Sequence, residues 1–123
     1  MTQEQKDILL KDLCARLPYF TKVQIKNEIV VLDSICDDDG YHFNFIGDDR
    51  EGVNIENIKP YLFPLSSMTR EQEREWQSLM VCDIYGIFYH TIESFDYLYK
   101  NHIDIRGLIP MGLANDATDK NIY

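Results

Sequence analysis

The chain has 123 residues, 45% of them hydrophobic and 12% aromatic, so we expect one compact domain over residues 1–123. Its net charge of −9 argues against direct binding to nucleic acid or to an anionic membrane, because both need a basic face. We find neither a signal-peptide pattern nor an apolar run of about 18 residues, so we expect a cytoplasmic protein without a membrane span. The three cysteines, Cys14, Cys36 and Cys82, form no CxxC pair and are predicted to be buried thiols.

The first predicted element is a helix over residues 2–16. Thr2 and Gln5 form the reciprocal capping pattern of a helix N-terminus. Apolar residues then follow at helical spacing. Pro18 disfavours helical geometry at Leu17, so the helix should end just before that residue.

Residues 21–56 are predicted to be rich in β-strands. Short apolar runs, two of them alternating, predict strands in TKVQIKN, EIVVLDSIC, YHFNFIG and, as a short fourth strand, GVNI. Asp39-Gly40 is a strong hairpin signal, because glycine accepts a positive φ. Strands this short and this closely connected predict a small bent antiparallel sheet or an SH3-like barrel.

Residues 56–114 are predicted to be mixed, with two further helices. IENIKPYLF is interpreted as a helical turn interrupted at Pro60, and Thr69 and Thr91 are predicted to cap the two helices. Residues 81–90 fit either a strand or a buried helix end, and their β-branched and aromatic content favours a strand. The polar tail, residues 115–123, is predicted to fray. The fold class that follows is α+β, with an N-terminal helix and two C-terminal helices.

Seven acidic residues and one arginine lie between Asp33 and Glu51, a local charge of −6. An EF-hand is excluded, because placing Gly40 at loop position 6 puts Ile35 and Ile46 where two ligands are needed. Consecutive aspartates in a solvated turn also lack the separated environments of a catalytic pair. A hairpin with a charged tip is the simplest interpretation, and a looser cation site between the two acidic turns stays open. We predict no metal centre and no cofactor.

The two acidic turns are predicted to lie at one end of the sheet, where they would form an edge for a basic partner. Tyrosine is common at recognition surfaces, since it offers contact area with little loss of entropy. The candidate partner-binding residues are therefore Asp37, Asp38, Asp39, Asp48, Asp49, Glu51, Tyr19 and Tyr61. Asp104 and Arg106 alternate on IDIRG, which predicts an ion pair or a polar ligand site on one side.

Three longer blocks resemble a set of small acidic proteins encoded by gut anaerobic bacteria and by their phages and mobile elements. The blocks are KDLCARLPY, IENIKPYLFPLSSMT and FDYLYKNHIDIRGLIPMGLANDA, in that order. The resemblance implies a phage or mobile-element accessory protein, and it brings no activity and no catalytic residue. FTKVQIKNEIVV departs from the shorter, glycine-richer segment of those proteins.

Together these features predict a non-enzymatic binding protein that modulates a host protein through an acidic, tyrosine-containing surface. A nucleotide-binding or nucleotide-sequestering protein is the alternative, with tyrosines stacking on a base and Lys22, Lys26 or Arg106 meeting phosphate. An enzyme is disfavoured, because no nucleophile elbow, metal cluster or phosphate loop stands in the sequence. A homo-oligomer is compatible with either hypothesis.

Overall fold

The computed structural model describes residues 1–123 and has the predicted α+β fold. Three helices, seven strands and three short 3₁₀ turns make up the chain. The helices are α1 (Gln3–Ala15), α2 (Arg70–Ser78) and α3 (Ile92–Lys100). The strands are β1 (Lys22–Ile25), β2 (Glu28–Asp37), β3 (Tyr41–Phe45), β4 (Ile58–Leu62), β5 (Val81–Cys82), β6 (Phe88–Tyr89) and β7 (Asn115–Asp116).

All three helices begin at a threonine that forms a capping box. Thr2, Thr69 and Thr91 each accept a hydrogen bond from the backbone N–H three residues on, and the side chain at that position bonds back. These pairs satisfy backbone groups that a helix start leaves without partners. The three predicted helices are therefore confirmed.

The main sheet is open and mixed, in the order β3-β2-β1-β4-β7, and a separate two-stranded sheet pairs β5 with β6. No closed barrel forms, so of the two predicted alternatives the sheet is right and the barrel is wrong. GVNI is not a strand. The fourth strand of the chain is β4, which we had interpreted as an interrupted helical turn. Pro60 in β4 lies opposite Val23 in β1, and the parallel pairing of β4 with β7 begins only at Tyr61. Proline has no backbone N–H to donate, and its position before the β4–β7 ladder means that this ladder loses no hydrogen bond.

The C-terminal residues are docked, so the prediction that they fray is wrong. β7 pairs with β4 in parallel, and the N–H of Ala117 donates to the carbonyl of Leu62 at 2.8 Å. The hydroxyl of Tyr123 donates to the carbonyl of Tyr61 at 2.8 Å, and its ring stacks on His102 at 3.6 Å. A two-residue strand carries no periodic pattern, so the sequence contained no signal for it.

The core lies between α1, the inner face of the sheet and the turns after α3. Its buried members are Leu9, Leu13, Val23, Ile25, Leu32, Phe43, Phe45, Ile58, Leu62, Leu108, Leu113 and Ala114. A smaller cluster of Met68, Leu98 and Ile103 joins α2 and α3 to the body of the protein. Both helices after the main sheet are therefore anchored to it through apolar contacts.

A fully buried ion pair joins α1 to the turn after α3. The guanidinium of Arg16 donates to Asp12 at 2.7 and 3.1 Å and to the carbonyl of Ile103 at 2.6 Å. Neither Asp12 nor Arg16 is exposed to solvent. Removing one partner of such a pair leaves an uncompensated buried charge, so the pair ties the two regions together.

The cysteines are exposed, so the prediction of buried thiols is wrong. Cys14 lies beside buried Leu13 on α1, and Cys36 beside half-buried Ile35 on β2. Apolar neighbours in the sequence do not define burial, because adjacent side chains in a helix or strand point in different directions.

Candidate protein-interaction surface

Asp37, Asp38 and Asp39 lie at the tip of the hairpin between β2 and β3, as predicted. Asp39 has a φ of +50° and Gly40 a φ of +111°, which makes the tight turn. Tyr41 lies opposite Asp37 in the ladder and is exposed. The tip therefore presents carboxylates and one tyrosine to solvent.

The second acidic turn, Asp48 to Glu51, begins at the opposite end of β2 from the tip. The prediction that both acidic turns lie at one end of the sheet is therefore wrong for Asp48. Arg50 donates to Asp48 at 2.9 Å and also pairs with Glu28 at the start of β2. These hydrogen bonds hold the pKa of Asp48 below its usual value. An antiparallel strand separates the turns before and after it, which is why one acidic turn is at the tip and the other is not.

The chain then returns toward the tip. Glu51 and Asp38 both line an open groove of about 640 Å³, whose wall includes His42. Asp49, between the ion-paired Asp48 and the groove, is exposed. The acidic surface thus consists of the tip and the returning segment, without Asp48.

Neither of the two tyrosines predicted for the contact is freely exposed. Tyr61 lies in β4 and is only 8% exposed. Tyr19 is half-buried, and burial together with the nearby charge of Asp96 raises its pKa. Exposed tyrosine side chains occur instead at Tyr41 and on the second hairpin.

Asp104 and Arg106 do not pair with each other, so the predicted ion pair is wrong. Asp104 accepts hydrogen bonds from the backbone N–H groups of Leu108 and Ile109, both at 2.9 Å. Arg106 donates to Asp12 at 3.2 Å and to the hydroxyl of Tyr99 at 3.0 Å. Asp104 binds the backbone of the turn that follows it, and Arg106 binds side chains of α1 and α3, which alternation along one strand could not reveal.

The surface that sequence reasoning missed is the hairpin from Leu79 to His90, here called the apolar arm. Its exposed large apolar side chains are Leu79, Val81, Ile84, Tyr85, Ile87, Phe88 and Tyr89. Ile84 is 91% exposed and Tyr85 is 82% exposed. Ile92 and Phe95, at the start of α3, extend the same exposed stretch of chain. Contiguous apolar exposure of this kind marks an interaction site in a soluble protein.

The carboxylate of Asp83 organises the loop at the end of the arm. It accepts hydrogen bonds from the N–H of Tyr85 at 2.8 Å, from the N–H of Ile87 at 3.0 Å and from the hydroxyl of Tyr89 at 3.0 Å. These bonds lower the pKa of Asp83. Gly86 has a φ of +78°, which closes the turn. The arm is therefore an ordered hairpin.

The base of the arm is attached to the two helices beside it. His90 stacks on Phe95 at 4.6 Å and lies 5.6 Å from the ring of Trp76 in α2. The hydroxyl of Thr91 donates to the carbonyl of Leu79 at 2.6 Å, which closes the base. The arm is fixed at its base, while its apolar side chains face solvent.

The predicted strand at residues 81–90 is confirmed as two short strands, but its exposure was not foreseen. The β-branched and aromatic content of this run indicated a strand and did not indicate whether that strand is buried. The available signal was the DIYG segment, residues 83–86, which places a turn in the middle of the run. A hairpin of two-residue strands is too small to cover its own faces.

The arm has no free cation, and its surroundings are acidic. Asp83 is its one acid, and between residues 70 and 100 six acids stand against three bases. Glu73 in α2 and Glu93 in α3 are exposed. Acidic residues therefore outnumber basic ones in the arm and in the two helices that flank it.

The remaining features of the structure concern metal binding, membrane spans and cavities. The structure contains no group of three or more His, Cys, Asp or Glu side chains that could hold a metal ion, and no helix has the length and apolar character of a membrane span. A cavity of about 430 Å³ is lined by His102, Lys100 and Tyr123, among others. The Nδ1 atom of His102 has no partner, but it is itself buried and cannot meet a ligand there. No protein-family model, curated protein or solved structure matches the chain.

Proposed function

We propose that this is a non-enzymatic binding protein that engages a partner protein through the apolar arm. The resemblance to small acidic proteins of gut anaerobes and their phages supports a role as a mobile-element accessory factor that modulates a host protein. The expected tyrosine-containing surface is kept in this proposal, with Tyr85 and Tyr89 in place of Tyr19 and Tyr61.

The observation that carries the proposal is the exposed apolar area of the arm. Its side chains and those of Ile92 and Phe95 present on the order of 1,000 Å² to solvent, whereas one side of a standard protein interface covers about 800 Å². Covering that area would be favourable by the hydrophobic effect. The aromatic side chains of the arm belong to the residue types that supply most of the binding energy at interfaces.

Charge defines the kind of partner. Acids outnumber bases in the arm and its two flanking helices, and a further acidic surface lies at Asp37–Asp39 with Glu51. A partner with an apolar groove rimmed by lysine or arginine would complement this distribution. A second copy of the chain would bring equal negative charge and is the less favourable occupant.

The nucleotide alternative gains no support from the geometry. Arg106 is held by Asp12 and Tyr99, and Lys22 bonds to the carbonyl of Ile122. Lys26 lies near Glu28 and Asp48, in a depression that also contains Glu51. The expected phosphate ligands are therefore dispersed and already paired or close to acids.

A matched pair of variants tests the proposal. The arm variant carries Ile84→Ser and Tyr85→Ser, and the control carries Ile46→Ser and Tyr41→Ser on the acidic hairpin, where both residues are also exposed. Each protein is tagged and incubated in a lysate of a gut anaerobic host, and captured proteins are quantified by mass spectrometry.

We expect one protein to be depleted at least about tenfold with the arm variant and retained with the control, since the arm supplies the binding energy. Sedimentation velocity on the purified chain identifies the competing outcome. Self-association that the arm variant abolishes would assign the arm to a second copy. Equal capture by both variants would overturn the proposal.

A further inference from the structure

We propose that Asp83 is the positioning residue of the apolar arm, an inference that rests on the proposed function. Its carboxylate, rather than the strand ladder, holds Ile84, Tyr85 and Ile87 in the arrangement that a partner meets. Asp83 would act through the shape of the loop and need not touch the partner.

The strand ladder is too short to hold the arm by itself. β5 and β6 pair at only two positions, Val81 with Tyr89 and Cys82 with Phe88. An isolated two-stranded hairpin is marginally stable in water even when it is longer. Another interaction must therefore contribute to the order of the loop between the two strands.

Asp83 provides that interaction from both its main chain and its side chain. Its N–H donates to the carbonyl of Ile87 at 3.0 Å, and its carbonyl accepts from the N–H of Gly86 at 3.1 Å. One carboxylate oxygen accepts from the N–H groups of Tyr85 and Ile87, and the other accepts from the hydroxyl of Tyr89. The side chain thus joins the loop to β6 on the far side of the turn.

The bonds to Asp83 matter because the loop side chains have nothing else to hold them. Ile84 and Tyr85 are the two most exposed large apolar side chains of the protein. With so little packing, their direction is set by the backbone, which the carboxylate holds together with the two main-chain bonds of Asp83. Hydrogen bonds to a charged acceptor are about twice as strong as neutral ones. A loop ordered before binding spares the partner the entropic cost of ordering it.

Three substitutions separate the functions of the two oxygens. Asp83→Ala removes every side-chain bond. Asp83→Asn keeps an oxygen that can accept from both backbone N–H groups but loses the acceptor for the Tyr89 hydroxyl. Tyr89→Phe removes that hydroxyl alone. Asp33→Ala, at an exposed position of β2 outside the acidic tip, is the matched control, since the Asp33 side chain makes no hydrogen bond in the structure.

Two measurements are made on each full-length variant. Amide hydrogen exchange at Tyr85 and Ile87, followed by NMR, reports on the order of the loop in the free protein. The yield of capture in the host lysate reports on binding. Urea unfolding confirms that the body of the protein is intact in each variant.

We expect Asp83→Ala to accelerate exchange at both amides by about tenfold or more and to reduce capture by a similar factor. Asp83→Asn should stay within about threefold of the parent protein, because the two backbone bonds survive. Unchanged exchange in Asp83→Ala would overturn the inference, and so would fast exchange with undiminished capture. If the parent protein captures nothing that depends on the arm, the proposed function fails, and the exchange result still decides whether Asp83 orders the loop.

Discussion

The two hairpins of this protein, β2–β3 and β5–β6, have the same connectivity and opposite chemistry. The first belongs to a five-stranded sheet, buries Phe43 and Phe45, and presents aspartates at its tip. The second pairs only with itself and presents isoleucine, phenylalanine and tyrosine. Water solvates the acidic tip at no cost, whereas the apolar arm gains free energy when it is covered. The β5–β6 hairpin, which has little charge, is therefore the better candidate for a contact with a partner protein.

The comparison predicts a large loss of stability from Phe→Ala in the first hairpin and almost none from the same substitution in the second. Phe43 is 4% exposed, and Phe43→Ala should lower the free energy of unfolding by about 3–5 kcal/mol, because it leaves a cavity in the core. Phe88 is half exposed, and Phe88→Ala should change the free energy of unfolding by less than about 0.5 kcal/mol. Urea unfolding of both variants measures the difference. Equal losses would mean that the arm is part of the core.

Acid should destabilise the body of the protein before it disturbs the arm. Burial, with the charges of Arg16 and Lys22, lowers the pKa of His102 from 6.5 to about 4. Between these two pKa values the His102 imidazole is protonated in the unfolded chain and neutral in the folded chain. Stability that is present above pH 6.5 is therefore lost as the pH falls toward 4. We expect a loss of about 2 kcal/mol, a value reduced for partial exposure.

His102→Asn is the control for this titration. Asparagine tolerates the positive φ of +59° at this position and does not titrate in the range. Unfolding free energies measured from pH 7 to pH 4 should have a shallower slope in this variant. An unchanged slope would assign the acid sensitivity to other groups.

Charge at the acidic tip should modulate binding rather than create it. Replacing Asp37, Asp38 and Asp39 by lysine should weaken partner binding by about threefold at low salt and less at high salt, as expected of a contact at the rim. The arm variant should lose binding at every salt concentration. Titrations of the captured partner at two ionic strengths distinguish these effects. A larger loss from the tip than from the arm would reverse the ranking of the two hairpins.

The smallest expected effect is the loss of order in the apolar arm at low pH, when Asp83 becomes protonated. The pKa of Asp83 lies below its ordinary value of 3.8, because backbone N–H groups of Ile87 and Tyr85 stabilise the carboxylate. Order in the arm is then fully present above pH 3.8 and is lost as the pH falls through the lower folded-state pKa. The NMR chemical shifts of the Tyr85 and Ile87 amides should change only below pH 3.8. A midpoint above this value would contradict the hydrogen bonds described for Asp83.

Local signals predicted much of the fold. Thr2, Thr69 and Thr91 marked the three helices, and alternation marked β1 and β3. The prediction of an interrupted helical turn at Pro60 was wrong, because whether a strand accepts a proline depends on which neighbouring strand pairs with each of its residues. β7 and the anchoring of Tyr123 depend on contacts across the fold, and no local pattern encodes them.

The candidate site was less predictable than the fold. The acidic tip was placed correctly, because a turn signal is local. Solvent exposure of residues 79–90 depends on what the rest of the chain leaves uncovered, so the composition of this run predicted a strand and not its exposure. Arg106 shows the same limit, since its contact with Asp12 in α1 joins residues far apart in the sequence.

The claim that the arm is a binding surface is tested most directly by photo-crosslinking in the host cell. A benzophenone side chain replaces Tyr85 in one protein and Tyr41, on the acidic hairpin, in another. We predict a discrete crosslink to one host protein from position 85, and at most a weak one from position 41. Equal labelling from both positions, or crosslinks from position 85 only to a second copy of the chain, would contradict the account.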